Sequence, residues 1–142
     1  MPQLLALDYG RKRTGIAVTD DSQIIASGLT TVRTHDLFDF LKDYFEKHDV
    51  TTIILGDPKR LDGTDTDSTK EATALKKRLI KIFDKPVEMV DERFTSKMAF
   101  QTMIDIGLSK KKRQNKELVD EISATIILQS YMTQRESGLN FG

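Results

Sequence analysis

Three carboxylates stand where a folded chain would hold them rigidly beside solvent: Asp8, Glu92 and Asp120. Asp8 closes the apolar run Leu4-Leu5-Ala6-Leu7. Tyr9, Gly10 and three cations, Arg11, Lys12 and Arg13, follow it, and Ile16-Ala17-Val18 forms a second apolar run. Apolar runs this short, bounded by glycine, read as buried strands. A carboxylate ending such a strand sits at the sheet's edge, able to grip a metal or a phosphate. Glu92 lies just past the short run Val87–Val90, and Asp120 falls in the first or second turn of a largely apolar helix. Clustered carboxylates repel one another, and at least one has its pKa raised. A hard divalent cation relieves this, because Mg²⁺ takes oxygen ligands and is often held by one or two carboxylates plus substrate phosphates. Two such ions about 3.5–4 Å apart can activate a water and stabilise the leaving oxygen of a phosphodiester. Mg²⁺ or Mn²⁺ is the cofactor expected of such a site.

Each acid has a plainer reading. Asp8 can initiate a hairpin turn. Asp91 and Glu92, like Glu117, Asp120 and Glu121, can favour a helix N-terminus through the dipole. Lys116 stands four residues before Asp120, a spacing that suits a surface ion pair. It is the placement of the three acids together, at element ends, that points to a site.

The densest basic clusters are Arg11-Lys12-Arg13 and Lys110-Lys111-Lys112-Arg113. One follows Asp8 and the other precedes Asp120, so both would flank the acids and hold a sugar-phosphate backbone without reading its sequence. Arg93 could orient Glu92 or hold a phosphate bidentately. The lysine run also reads as a solvated loop, and Lys76, Lys77 and Lys81 as the wet face of a helix. The loop Gly56–Gly63 permits close backbone approach but lacks the phosphate-loop pattern, so no nucleoside triphosphate site is implied. His35 and His48 stand at two ends of one predicted helix, without metal-ligand spacing, and both read as structural or exposed. The chain has no Cys, which excludes disulfides, thiolate zinc sites and a thiol nucleophile. Its hydroxyls have no histidine partner for serine-type catalysis, and its aromatics form no stacking platform for single strands.

At 142 residues the chain is expected to form a single domain, 1–142, with 134–142 a frayed tail. Lys+Arg and Asp+Glu both number 22, so nucleic acid can be held only through local basic clusters. No apolar run approaches the ~18 residues of a membrane span, and the start lacks a signal-peptide pattern. A cytoplasmic protein, monomeric or weakly dimeric and without membrane contact, is expected.

The elements that must position these residues follow from patterning. Strands are predicted at 3–8, 14–19 and 23–33, with Gly28 a bulge or bend. Thr34 is a candidate N-cap for an amphipathic helix over 35–48. A strand at 51–55 and the polar loop 56–63 follow. Ser68-Thr69-Lys70-Glu71 has the form of a capping box, ahead of a helix whose Ala72, Leu75, Leu79 and Ile82 share a face. A strand over 87–90, a helix over 96–106, a basic loop over 109–116 and a well-buried helix over 116–133 complete the chain. This order predicts an α/β fold, a mixed sheet with helices on its faces. Its crevice would lie outside the carboxyl ends of the parallel strands, where Asp8 and Glu92 end theirs.

Four motifs in register resemble one family. Asp8-Tyr9-Gly10-Arg11-Lys12-Arg13-Thr14-Gly15-Ile16-Ala17, Gly56-Asp57-Pro58 with Asp62-Gly63, Asp91-Glu92-Arg93-Phe94-Thr95-Ser96, and Val119-Asp120 with Ala124, Ile126, Ile127, Leu128 and Tyr131 resemble those of the YqgF family, the Holliday-junction-resolvase-like pre-16S rRNA nucleases. The resemblance implies an RNase H-like fold with five-stranded sheet order 3-2-1-4-5. It implies a metal-dependent endonuclease acting on structured RNA in 5′-end maturation of 16S rRNA in the bacterial cytoplasm. The family's acidic positions fall on Asp8, Glu92 and Asp120, as catalytic residues and metal ligands. Phe94 in place of Leu, Asp57 between Gly56 and Pro58, and Glu121 where a small residue is common are departures, as are Arg11 and Thr14. Two other readings stand beside this one: a DNA endonuclease resolving four-way junctions, and a non-catalytic RNA-binding factor in ribosome assembly. An actin-like or sugar-kinase lobe is disfavoured, since that architecture needs two lobes.

Overall fold

The computed structural model describes residues 2–23, 25–57, 67–91 and 115–136. Five strands, β1 (Gln3–Tyr9), β2 (Arg13–Thr19), β3 (Ala26–Arg33), β4 (Val50–Asp57) and β5 (Val87–Asp91), form one sheet in the order β3-β2-β1-β4-β5. β1–β2 and β2–β3 pair antiparallel, whereas β1–β4 and β4–β5 pair parallel. This is the mixed α/β sheet that the patterning predicts, in the strand order that the family resemblance implies.

Both faces of the central strands are covered, which explains their unbroken apolar runs. Leu5, Leu7, Ile16, Ile53 and Leu55 pack on one face beneath Leu37 and Leu41 of α1 (Leu37–Lys47) and Leu75 and Leu79 of α2 (Asp67–Phe83). Leu4, Ala6, Ala17, Ile54 and Val90 pack on the other against Ala124, Ile127 and Leu128 of α3 (Lys116–Glu136). Asn115 caps α3: its Oδ1 accepts from the backbone N–H of Glu117 at 3.0 Å and of Leu118 at 3.3 Å.

The structure redraws several local expectations. Gln23 adopts a positive φ of 56° and donates its N–H to the Asp20 carbonyl at 3.0 Å, closing the turn, so β3 begins at Ala26 rather than at residue 23. The β2–β3 register shifts where Ile16 pairs with Thr30 and Ala17 with Gly28, which leaves Leu29 as the extra residue beside the expected bend. Thr34 does not cap the following helix. Its hydroxyl donates to the Gly10 carbonyl and meets Thr14 Oγ1, and a 3₁₀ turn, Thr34–Asp36, leads into α1. Glu71 is drawn out of its capping-box role into an ion pair with Arg11, Nε to Oε1 2.9 Å. Ile82 is exposed, and Phe83, four residues beyond Leu79, packs on the core in its place. α3 continues past residue 133 to Glu136. Arg135 donates to Gln23 Oε1 at 3.0 Å and lies over the Tyr131 ring, which anchors that last turn. The helix over 96–106 and the loop over 109–114 fall outside the described residues.

α3 comes unusually close to the sheet at Gly15. A Cβ there would sit 2.1 Å from the Asp120 carbonyl oxygen and 2.4 Å from its carbon. At Gly28 the nearest atoms a Cβ would meet belong to side chains, Glu121 Oε1 at 3.0 Å and Thr125 Oγ1 at 3.4 Å. Backbone cannot step aside as side chains can. Gly15→Ala is therefore expected to cost about 2–3 kcal/mol in urea unfolding, and Gly28→Ala under about 1 kcal/mol. Equal costs would contradict this packing.

Candidate active site

Strand alternation decides where Asp8 points. It follows Leu4 and Ala6 on the face covered by α3. Its cross-strand partner is Gly15, and directly opposite residues share a face. The missing side chain at Gly15 admits the α3 backbone at Asp120. Neighbouring strands are about 4.8 Å apart, so Asp120 is seated roughly one strand's width from Asp8. The α3 backbone at Asp120 thus lies over the strand partner of Asp8, with the Asp120 carboxylate turned to Arg13.

The third, Glu92, lies outside the described residues, as do Arg93, Lys110, Lys111, Lys112 and Arg113. The strand leading to Glu92 is described. β5 is parallel to β4 and β4 to β1, with Leu7, Leu55 and Met89 in one row. β5 therefore ends at the same sheet edge as Asp8. Among the described residues no three acids or histidines form a metal-binding group.

The first basic cluster divides three ways. Arg13 Nε donates to Asp120 Oδ2 at 3.0 Å. With side chains 32% and 23% exposed, this pair is less screened than Arg11–Glu71, at 69% and 33%. Expected as a backbone-holding cation, Arg13 also orients a candidate catalytic carboxylate and balances its charge. Arg11 reaches across to α2. Lys12 remains exposed at the turn, and its carbonyl accepts the Thr34 N–H at 2.9 Å. Together with the Thr34 hydroxyl on Gly10, this ties the whole turn to the end of β3.

That tie exposes what sequence reading missed. Arg33 and His35 join Arg11, Lys12 and Arg13 around an open cleft of about 570 Å³. In sequence they are isolated residues of a strand end and a helix start. Only their placement beside the Arg11–Arg13 turn makes them part of a basic surface. His48, by contrast, is structural: it stacks on Tyr44 with centroids 4.2 Å apart.

A mixed β3-β2-β1-β4-β5 sheet with helices on both faces is the RNase H-like class of fold. The chain belongs to the RuvX Holliday junction resolvase family, whose model matches residues 2–134. A Flavobacterium johnsoniae protein named "Putative pre-16S rRNA nuclease" is 59% identical over 136 residues, covering 95% of this chain and 99% of its own. A Phocaeicola vulgatus protein of the same name is 56% identical over 137 residues, covering 96% and 99%. Among solved structures, the fowlpox virus resolvase in complex with Holliday junction DNA matches with TM-score 0.56 over 97% of this chain and 99% of its own, at 11% identity. At that identity the likeness is one of fold.

Glu121, next to Asp120, faces β3 at Gly28. Burial pushes its carboxyl above the usual range, and the neighbouring Glu117 charge adds to the shift. The folded protein thus holds this proton to higher pH than the unfolded chain does. Between the two midpoints stability falls as pH rises, and above both the penalty is complete. In metal-free buffer, Glu121→Gln should raise the melting temperature relative to the parent more at pH 7 than at pH 4. An equal difference at both values would contradict the assignment.

Proposed function

We propose that this chain is a metal-dependent endonuclease that hydrolyses phosphodiesters in structured RNA and matures the 5′ end of the 16S rRNA precursor in the bacterial cytoplasm. The observation that carries the reading is the seating of Asp120 on Gly15, directly opposite Asp8, at the sheet edge beside the Arg11–Arg13 turn. The names of the relatives point to the same substrate.

Asp8 and Asp120 fit a hard divalent ion. Both offer oxygen donors, and the reading is supported by the Asp120 backbone lying over Gly15, the strand partner of Asp8. Asp8, Asp120 and Glu92 would hold Mg²⁺ or Mn²⁺. When bound, the ion would supply activation of the attacking water and stabilisation of the leaving oxygen. The chain's own residues do the rest. Arg13 aims the Asp120 carboxylate. Lys12 and Arg11 offer charge to the phosphates that flank the scissile bond, with Lys110, Lys111, Lys112, Arg113 and Arg93 in the same role. None of these contacts reads base identity.

A four-way DNA junction is the second reading, favoured by the description of the matching family. With Mn²⁺ or Mg²⁺, the protein is expected to cut a 5′-extended 16S rRNA faster than a four-way DNA junction. Asp8→Asn and Asp120→Asn should each lower that cleavage at least about 10²-fold. Cleavage by Asp8→Asn at the parent rate would remove the role given to Asp8. Faster cutting of the junction would favour the second reading, and RNA binding without any cleavage would favour an assembly factor.

A further inference from the structure

Arg33 is placed against another cation. It ends β3 directly opposite Arg13 in the β2–β3 register. Like charges at such a position repel and destabilise the strand pair. Asp120 balances Arg13. Arg33 has no ion-pair partner among the described residues, and neither has Lys12. A cation beside a cation, without a counter-ion among the described residues, is a cost that an external anion would relieve.

The surroundings suit such an anion. Arg33 and Lys12 line the cleft of about 570 Å³ with Arg13, Thr31 and His35, and among the described residues Glu117 is its single carboxylate. Arg11 and Arg13 are taken up by Glu71 and Asp120, so the charge this cleft offers an anion is that of Arg33 and Lys12. The cleft is also preformed. Thr31 Oγ1 donates to the Glu117 carbonyl at 2.7 Å, fixing one wall to α3. The Thr34 contacts to Gly10 and Lys12 fix the other wall to the β1–β2 turn. Backbone walls fixed before binding need no rearrangement when an anion arrives.

We propose that Arg33 and Lys12, with His35 at the rim, form a second phosphate-binding subsite that seats the substrate strand on the β3 side of the acids. The proposal rests on the nucleic-acid reading above. It adds to that reading a residue, Arg33, and a direction. From Asp8 and Asp120 the backbone runs across the end of β2 towards the outer edge of the sheet. Arg13 marks the boundary, facing Asp120 on one side and Arg33 on the other.

The test is binding of a 5′-labelled RNA spanning the leader–16S junction, followed by anisotropy in EDTA between about 50 and 200 mM KCl. Arg33→Gln is expected to weaken binding about tenfold at the low-salt end and to reduce the slope of log K against log [KCl] by about one. Arg33→Lys should restore most of that slope. Lys42→Gln, an exposed cation on α1, should leave it unchanged. The melting temperature of Arg33→Gln should equal or exceed the parent's, since the repulsion with Arg13 is gone. An unchanged slope in Arg33→Gln, or a loss of binding that tracks a lowered melting temperature, would overturn the subsite. Failure of the nuclease reading looks different: Asp8→Asn would cleave as the parent does, whatever Arg33→Gln does to binding.

Discussion

The contact between the α3 backbone and Gly15 governs the candidate site of this molecule. A helix ordinarily stands off a sheet by the length of the side chains between them. Here one side chain is missing, and the Asp120 carbonyl occupies the space a Cβ would take. That single close approach carries the first turns of α3 onto the strand pair that bears Asp8. It also brings Arg13, two residues before Gly15 in β2, within 3.0 Å of the Asp120 carboxylate. The acids, their counter-charge and the entry to the basic cleft are all set by where one helix touches one strand.

A second constraint works from the opposite side. The β1–β2 turn carries three consecutive cations, which would repel one another and splay in a loose loop. Thr34 binds this turn at Gly10 through its hydroxyl and at Lys12 through its N–H, and Glu71 takes up Arg11. The turn's charges are thereby shared out: one to α2, one to the acids, one to solvent. A helix cap at Thr34 and a capping box at Glu71 are given up in exchange. Both polar groups serve the arrangement of the basic turn instead of local helix termination, which is why local motif reading misplaced them.

Much of the architecture was legible in the chain. The unbroken runs of β1 and β4 announce strands buried on both faces, and the alternation of Leu4, Ala6 and Asp8 against Leu5 and Leu7 already assigns Asp8 a face. Asp120 was legible as a candidate because it opens a helix rich in apolar residues. The bend at Gly28 was legible too. Arg33, His35 and the Arg13–Asp120 pair were not. Arg13 and Asp120 are separated by 107 positions, and no local period or spacing reports a contact of that range. Ile82 was misplaced for a related reason: spacings of three and four share a helical face, and only the core decides which of Ile82 and Phe83 it receives.

The sequence by itself determined the elements, their faces and the kinds of chemistry on offer, because propensity, hydrophobic period and charge are properties of neighbours along the chain. The tertiary structure decided which of those groups meet. The Asp120 backbone comes to lie over the strand partner of Asp8 because a glycine on a third element admits a helix, and Arg33 becomes part of a basic cleft because a threonine ties one strand end to a distant turn. Both results depend on pairing and packing between segments far apart in the chain, which sequence spacing does not encode.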